Sequence, residues 1–242
     1  MPVVNFRVIA LSVFSLAASG CVVAVERPRE RVADDLSPVE RRFAPKSLTS
    51  VELAGSDRVQ VTRGPAVSVT ASGDPRAVAA LDIAVRGDTL RIDRLPGSYR
   101  DRGALVSVTV PSLRMASISG SGAMSIVAVE SPDFTGSVAR SGAMRVADLR
   151  ARTVRFDLSG SGAISASGST DDAALDLGGS GSIDVRGLAV SALTISAGGS
   201  GTVSATATRT ATIRAGGSGS VRVTGGARCD VAKGGSGSVR CG

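Results

Sequence analysis

Apolar and polar residues alternate with a period of two through most of the chain from Ser121 onward. Met144 and Val146, for example, flank Arg145, and Arg222 occupies the equivalent place in a later segment. Alternation of this kind is typical of a β-strand that buries one face and exposes the other. The pattern therefore predicts an all-β structure, with Arg145 and Arg222 on the exposed face as candidate binding residues.

Each alternating segment follows the same short phrase, Gly-Ser-Gly, which becomes Arg-Ser-Gly in one copy. The central serines, which we call the corner serines, are Ser121, Ser141, Ser161, Ser180, Ser200, Ser218 and Ser236. Their spacing of 18 to 20 residues predicts one turn of a β-solenoid per copy, since each coil buries its apolar face against its neighbours. We expect a single-domain solenoid resembling a parallel β-helix, with two strands per coil, a Gly-Ser-Gly corner between them and a variable turn after them.

Two physical reasons favour glycine at these corners. Glycine reaches backbone conformations with positive φ without a steric penalty. Stacked coils also lie only about 4.8 Å apart, which leaves little room for a side chain. The corner serines are predicted to form a hydrogen-bonded ladder along the stack, and the alternative is that their column is a binding surface.

Shorter alternating segments precede the repeats between residues 47 and 113. Val59-Gln60-Val61 and Val106-Ser107-Val108 are two of them, and glycine-containing turns such as Gly73-Asp74-Pro75 separate the segments. We therefore assign one domain to residues 47–242, with N-terminal strands in 47–113 and the repeats in 114–242.

The first twenty residues are typical of an export signal. Arg7 precedes an apolar run that ends at Ala17 and is too short for a transmembrane helix. The run is followed by Ala18-Ser19-Gly20-Cys21, which resembles the lipobox of bacterial lipoproteins. That resemblance implies that Cys21 carries the lipid anchor; in the alternative, an ordinary secretory signal, Cys21 is incidental.

Residues 21–46 contain three prolines among mixed charges and are predicted to be a flexible tether. Val22 follows the cysteine, which by resemblance to enteric lipoproteins favours the outer membrane. We expect a lipid-anchored protein of the cell envelope, on the periplasmic face of the outer membrane or on the cell surface.

Cys229 and Cys241 are the remaining cysteines, and both fall at predicted inward positions of the last coil. In an oxidising envelope they are candidates for a disulfide that closes the C-terminal end. The alternative is a pair of free buried thiols.

The chain carries a formal net charge of +7, but it has no tryptophan and one tyrosine. Nucleic-acid binders usually combine clustered basic residues with aromatic side chains, and here the arginines are spread over strands and turns. The composition favours anionic lipid head groups or acidic glycans as partners and argues against nucleic acid. The basic loop at residues 94–103 holds Tyr99, Arg100 and Arg102, which form either a binding tip or an ordinary hairpin tip.

The absence of histidine excludes Ser-His-Asp and Cys-His catalytic arrangements as well as imidazole metal sites. We predict no catalytic residue, no metal site and no cofactor. Asp157 and Asp176 are nevertheless expected side by side on consecutive coils, where two carboxylates with separated pKa values would suit a solenoid enzyme acting on polysaccharide.

The strand order of residues 49–113, then Pro111-Ser112-Leu113, then the Ser-Gly-Ser-Gly repeats, resembles the family named putative auto-transporter adhesin, head GIN domain. The resemblance covers about residues 47–240. It implies a β-solenoid on an exported bacterial protein with an adhesive or envelope role, and it carries over no catalytic residue. The resulting prediction is a non-enzymatic envelope lipoprotein that binds a glycan or an envelope protein; the alternatives are a passive structural or stress-related protein and a solenoid enzyme.

Overall fold

The computed structural model describes residues 41–43, 48–97 and 101–242, with side chains from residue 48 onward. The predicted export signal, Cys21 and most of the predicted tether lie outside these residues. In the described ranges the chain forms one short helix and sixteen strands. These are β1 (Arg41–Phe43), β2 (Ser50–Leu53), β3 (Arg58–Arg63), β4 (Ser68–Gly73), α1 (Pro75–Ala79), β5 (Leu81–Arg86), β6 (Thr89–Arg94), β7 (Ala104–Val110), β8 (Met115–Ile118), β9 (Ala123–Val138), β10 (Ala143–Leu158), β11 (Ala163–Leu177), β12 (Ser182–Ala197), β13 (Thr202–Ala215), β14 (Ser220–Thr224), β15 (Arg228–Lys233) and β16 (Ser238–Cys241).

The repeats form a parallel β-solenoid, as predicted. Each strand from β9 to β13 pairs in parallel with its counterpart one coil along, and equivalent positions of the repeat lie in register. Met124 pairs with Met144, which pairs with Ile164, and all three side chains are buried. The period-two alternation therefore becomes an apolar column that runs through the interior of the stack.

The predicted variable turn is not a separate loop. Each strand from β9 to β13 is 14 to 16 residues long and continues through the bend from one corner to the next. Pairing between successive coils slips at the bend, for example between Val146 and Leu149 of β10. These bulges absorb the difference between coils of 18, 19 and 20 residues, because a bulge adds a residue without ending the sheet.

Only one of the two reasons offered for the corner glycines is correct. No corner glycine has a positive φ among the described residues, so conformational freedom does not explain them. The reason is space: a Cβ on Gly199 would lie 2.7 Å from the carbonyl carbon of Gly179 and still closer to its oxygen. At these glycines the coils stack by backbone-to-backbone contact, which leaves no room for a Cβ, whereas the coil of Ser141 accommodates Arg140 at the equivalent place.

In the N-terminal part, the coils are stacked in an order that differs from their order along the chain. β2 pairs in parallel with both β6 and β8, and β3 pairs in parallel with both β7 and β9. The coil made by β2 and β3 therefore lies between the coil of β6 and β7 and the coil of β8 and β9. The chain builds this inner coil first, returns to add the outer one, and then crosses to begin the repeats.

Antiparallel strands close the N-terminal end of the stack. β5 pairs antiparallel with β6, β4 pairs antiparallel with β7, and β1 pairs antiparallel with β4. Helix α1 connects β4 to β5, is capped by the Asp74 side chain, and buries Ala77 and Val78. No helix in the described ranges is long and apolar enough to span a membrane.

At the C-terminal end no antiparallel strand covers the last coil among the described residues. β14 pairs with β13 and with β16, whereas β15 pairs only with β13 among the described strands, so one edge of β15 is open. Val231 of β15 is consequently 44% exposed, although its column is buried in the preceding coils. Cys229 and Cys241 form a disulfide with a Cα–Cα distance of 6.4 Å, which ties β15 to β16.

Candidate functional site

The corner serines all point to solvent. Each of the seven is exposed, while the glycines beside them face the neighbouring coils. The Oγ atoms of Ser218 and Ser236 lie 3.0 Å apart, but no other two corner serines are hydrogen-bonded to each other in the part of the chain described here. The predicted ladder is therefore limited to the C-terminal end, and the other corner hydroxyls are available to a ligand or to water.

Arg145 and Arg222 share one outward column on the face that follows the corner. Arg145 lies in register between Ser125 and Ser165, and Arg222 lies in register with Arg240. Both side chains are exposed, and neither makes an ion pair within the described residues. The structure thus presents unpaired guanidinium groups on a regular, open surface.

A shallow cleft of about 380 Å³ lies beside Arg145. Its wall includes Asp184, which accepts hydrogen bonds from the Nε and Nη2 atoms of Arg186 at 2.9 and 2.6 Å. These bonds hold the pKa of Asp184 below its ordinary value. Because Arg186 already neutralises Asp184, the Arg145 guanidinium keeps its charge free for an external anion.

Asp157 and Asp176 are adjacent, as predicted, but a cation joins them. They are in register on β10 and β11, and Arg155 Nη2 lies 2.8 Å from Asp157 Oδ1 and 2.5 Å from Asp176 Oδ2. Hydrogen bonds to Asp157 are the main reason that the pKa of Arg155 is raised. The same guanidinium group engages both carboxylates on an exposed surface. The pair is therefore a surface ion-pair cluster and a poor candidate for catalysis.

The basic loop at residues 94–103 is only partly described, and Tyr99 and Arg100 lie outside the described residues. Arg102 is exposed, and its backbone N–H donates to Asp74 Oδ2 at 3.2 Å. Arg102 lies between β6 and β7, which form the coil at the opposite end of the stack from Arg222. The structure does not bring Arg102 together with the other predicted binding residues.

Beneath that loop lies a buried charge network that the sequence analysis missed. Arg94 donates to both oxygens of Asp57, at 2.7 and 2.6 Å, and to Asp101 Oδ2 at 2.7 Å. The Asp57 and Asp101 side chains are 1% and 5% exposed, and that of Arg94 is 15% exposed. The Gly103 and Ala104 backbone N–H groups complete the network by donating to Asp101 and Asp57 respectively.

The network locks the base of the loop and does not offer a reactive group. Hydrogen bonds from Arg94 hold the pKa of Asp101 below its ordinary value, and hydrogen bonds to Asp57 raise the pKa of Arg94 further. Arg94 and Asp101 are thus firmly charged. Asp57 and Arg94 lie 37 residues apart, and no local pattern distinguishes these charges from solvated ones.

Comparisons with solved structures agree on this fold. A putative adhesin from Bacteroides fragilis is 19% identical, with a TM-score of 0.75 over 85% of this chain and 97% of that one. A putative lipid binding protein from Parabacteroides distasonis is 20% identical, with a TM-score of 0.64 over 86% and 98%. A putative adhesin from Parabacteroides merdae is 15% identical, with a TM-score of 0.59 over 86% and 97%. At these identities the likeness shows the fold alone.

No curated protein matches the chain. A protein-family model does match it over residues 47–227, which is most of its length and includes the N-terminal strands and the first six corner serines. The match agrees with the resemblance inferred from the strand order and the repeats. The chain belongs to the family described as putative auto-transporter adhesin, head GIN domain.

Proposed function

We propose that the protein is a lipid-anchored binding protein of the bacterial cell envelope, without enzymatic activity, whose solenoid holds a glycan or an envelope protein. The observation that carries the proposal is the outward surface of the repeats, where exposed hydroxyls recur at the spacing of the coils and one column presents the unpaired guanidinium groups of Arg145, Arg222 and Arg240. Many weak contacts on a rigid lattice give strong overall binding, because each contact after the first is effectively intramolecular. The family description as an adhesin supports the same role.

Among the described residues no group of side chains forms a suitable reaction centre, and this supports the non-enzymatic part of the proposal. Asp157 and Asp176, the pair that best fitted a carboxylate mechanism, are both engaged by the Arg155 guanidinium group. Within the described residues no three His, Cys, Asp or Glu side chains are grouped so as to hold a metal ion. The clefts between coils are shallow, like the one beside Arg145, and suit an extended ligand.

The lipid anchor is tested at Cys21. We expect the wild-type chain to fractionate with membranes and its N-terminal peptide to carry the mass of attached acyl chains, because several chains on one residue give stable anchoring. Cys21→Ala should move the protein to the soluble envelope fraction without changing its far-UV circular dichroism spectrum. Wild-type protein that is soluble and unmodified would contradict the anchor and leave an ordinary secretory signal.

Binding is tested with the unlipidated Cys21→Ala chain on peptidoglycan, lipopolysaccharide, acidic glycans and solubilised envelope proteins. We expect saturable retention on at least one of these materials, with retention falling as salt is raised from about 0.05 to 0.5 M, since salt screens charge pairs on an open surface. A combined Arg145→Glu and Arg222→Glu variant should bind more weakly. Lack of saturable retention on every material would instead favour a passive structural protein.

A further inference from the structure

The net positive charge of the chain is concentrated at one end. Residues 186–242 contain seven basic residues and one acidic residue, Asp230, a net of +6. Residues 1–185 hold the other 21 basic and 20 acidic residues, a net of +1. The arginines are spread along the chain, but almost the whole net charge of +7 belongs to the last coils.

Only one of these seven cations is paired with an acidic side chain in the described residues. Arg186 is paired with Asp184, whereas the others are exposed and make no ion pair in the described part of the chain. Those six are Arg209, Arg214, Arg222, Arg228, Lys233 and Arg240. In the middle coils, by contrast, arginines such as Arg150, Arg152 and Arg155 each lie within 4 Å of an aspartate. The C-terminal end is therefore the part of the described surface with the strongest attraction for anions.

Two identical hexapeptides place part of this charge in an ordered array. Gly-Ser-Gly-Ser-Val-Arg occurs at residues 217–222 and again at 235–240, and the two copies stack in register on β14 and β16. We call their outward side chains the C-terminal grid, which consists of Ser218, Ser220, Arg222, Ser236, Ser238 and Arg240. The two columns on the strands are about 6.8 Å apart, and the rows are about 4.8 Å apart across the strands. The third column, Ser218 and Ser236, lies at the corner just before β14 and β16.

The hydroxyls of the grid are already ordered. The Oγ atoms of Ser218 and Ser236 lie 3.0 Å apart, and Ser238 Oγ donates to Ser220 Oγ at 3.1 Å. Each hydroxyl retains further hydrogen-bonding capacity on its solvent side, because a hydroxyl both donates and accepts. The grid thus sets two pairs of hydroxyls beside two neighbouring guanidinium groups, which bind carboxylate or phosphate through paired hydrogen bonds.

We propose that the C-terminal grid binds an acidic polysaccharide, with Arg222 and Arg240 on its anionic groups and the serines on its hydroxyls. This inference rests on the proposed binding function and assigns it a place and a ligand class. The other four exposed cations attract the polymer to this end of the stack, since their field adds to that of the grid.

A second copy of this chain is a poor occupant of the same end. The inward column that contains buried Leu177, Ala197 and Ala215 ends in Lys233, on the open edge of β15. A strand added there would bury an unpaired ammonium group and bring like-charged ends together. An inward lysine on an edge strand is a known protection against such pairing.

A lipid surface fits less well than a polysaccharide. Proteins that bind at a bilayer interface insert aromatic or large apolar side chains beside their basic residues. The last two coils contain no aromatic residue, and Val231 is their one strongly exposed large apolar side chain. Serine hydroxyls, in contrast, match the hydroxyl groups of a sugar chain.

The experiment uses the unlipidated Cys21→Ala chain as reference and two charge-reversal variants made in it. The grid variant is Arg222→Glu with Arg240→Glu. The control is Arg58→Glu with Arg140→Glu, which makes the same change in net charge at two exposed arginines that have no ion pair in the described residues and lie in earlier coils. Affinity for polygalacturonate, for its neutral methyl ester and for anionic phosphatidylglycerol vesicles is measured by calorimetry, after melting curves confirm that both variants are folded.

We expect the reference chain to bind polygalacturonate and not its methyl ester, and the grid variant to lose at least about tenfold in affinity, because two charge-assisted contacts become repulsive. The control variant should lose less than about threefold, through the long-range field alone. Equal losses in both variants, or none in the grid variant, would overturn the assignment. If the grid variant loses no affinity, the cations of the last coils serve only to prevent pairing at the exposed strand edge, a role that glutamate also fills.

Two further outcomes separate this inference from the proposed function. Binding to vesicles with none to polygalacturonate would replace the polysaccharide with a lipid surface. Retention on envelope material without binding to polygalacturonate would leave the protein a binding module and refute the acidic polysaccharide as its ligand.

Discussion

Gly199→Ala is expected to lower the free energy of unfolding by about 1–3 kcal/mol, since overpacking against backbone cannot be relieved by a side-chain rotation. The added Cβ would lie 2.7 Å from the carbonyl carbon of Gly179 and nearer to its oxygen. Two coils would have to separate at a point where Gly198 N–H donates to Leu177 O and Thr202 N–H donates to Gly181 O. Urea unfolding followed by far-UV circular dichroism measures the change, a suitable signal for a chain that has no tryptophan.

Gly198→Ala is the matched control. A Cβ at Gly198 has no heavy atom within 4 Å, and the residue does not have a positive φ. Alanine there should be neutral or should stabilise by about 0.5 kcal/mol, because it restricts the unfolded chain. The same contrast should recur at Gly217 and Gly216. Equal destabilisation at both members of a pair would show that the corners need glycine for flexibility and not for space.

Arg94→Met is the second large effect, with an expected loss of about 3–5 kcal/mol in the free energy of unfolding. The substitution leaves the carboxylates of Asp57 and Asp101 buried without their cation. Removing one partner of a buried pair is costly because the remaining charge keeps its desolvation penalty. Arg91→Met on the same strand is the control: Arg91 pairs with Glu52 and Asp93 but is 35% exposed, so the loss should stay below about 1 kcal/mol.

At acidic pH the difference in free energy of unfolding between the wild type and Arg94→Met should become smaller. In the wild type the pKa of Asp101 is depressed, so its contribution to stability is present above the unfolded value of 3.8 and is lost as pH falls below it. In the variant the same carboxyl is buried without a cation, its pKa rises, and protonation stabilises the fold. Unfolding curves at pH 7 and at about pH 3.5 test this, and a difference that stays constant or widens on acidification would contradict the role assigned to Arg94.

Much of the candidate binding surface could be predicted because it depends on local periodicity. An outward place for Arg145, Arg222 and the corner serines follows from the period-two alternation, and their alignment follows from the nearly constant spacing of the repeats. The adjacency of Asp157 and Asp176 was predicted for the same reason. Arg155 was missed as their partner because its side chain extends both along its own strand to Asp157 and across to Asp176 on the next coil.

The ionic network and the cap could not be predicted in this way. Asp57 is buried because its corner lies under the loop that ends at Gly103, and that position depends on an outer coil formed later in the chain. Nothing in the alternation of β2 and β6 indicates that the coil of β2, which comes first in the chain, lies inside the coil of β6 in the stack. The antiparallel pairing of β4 and β5, which ends the stack, has the same alternating signature as parallel pairing.

By itself, the sequence determined the strand class, the coil length, the inward and outward faces and the family, because each depends on residues close together in the repeat. Tertiary structure alone decided the stacking order of the first coils, the burial of Asp57, Arg94 and Asp101, and the open edge of β15. It also decided the reason for the corner glycines, which is the close approach of two backbones and not the conformation of one. These features arise from contacts between segments that are distant in the sequence. A local pattern indicates which face of a strand is buried, but it does not indicate which segment packs on that face.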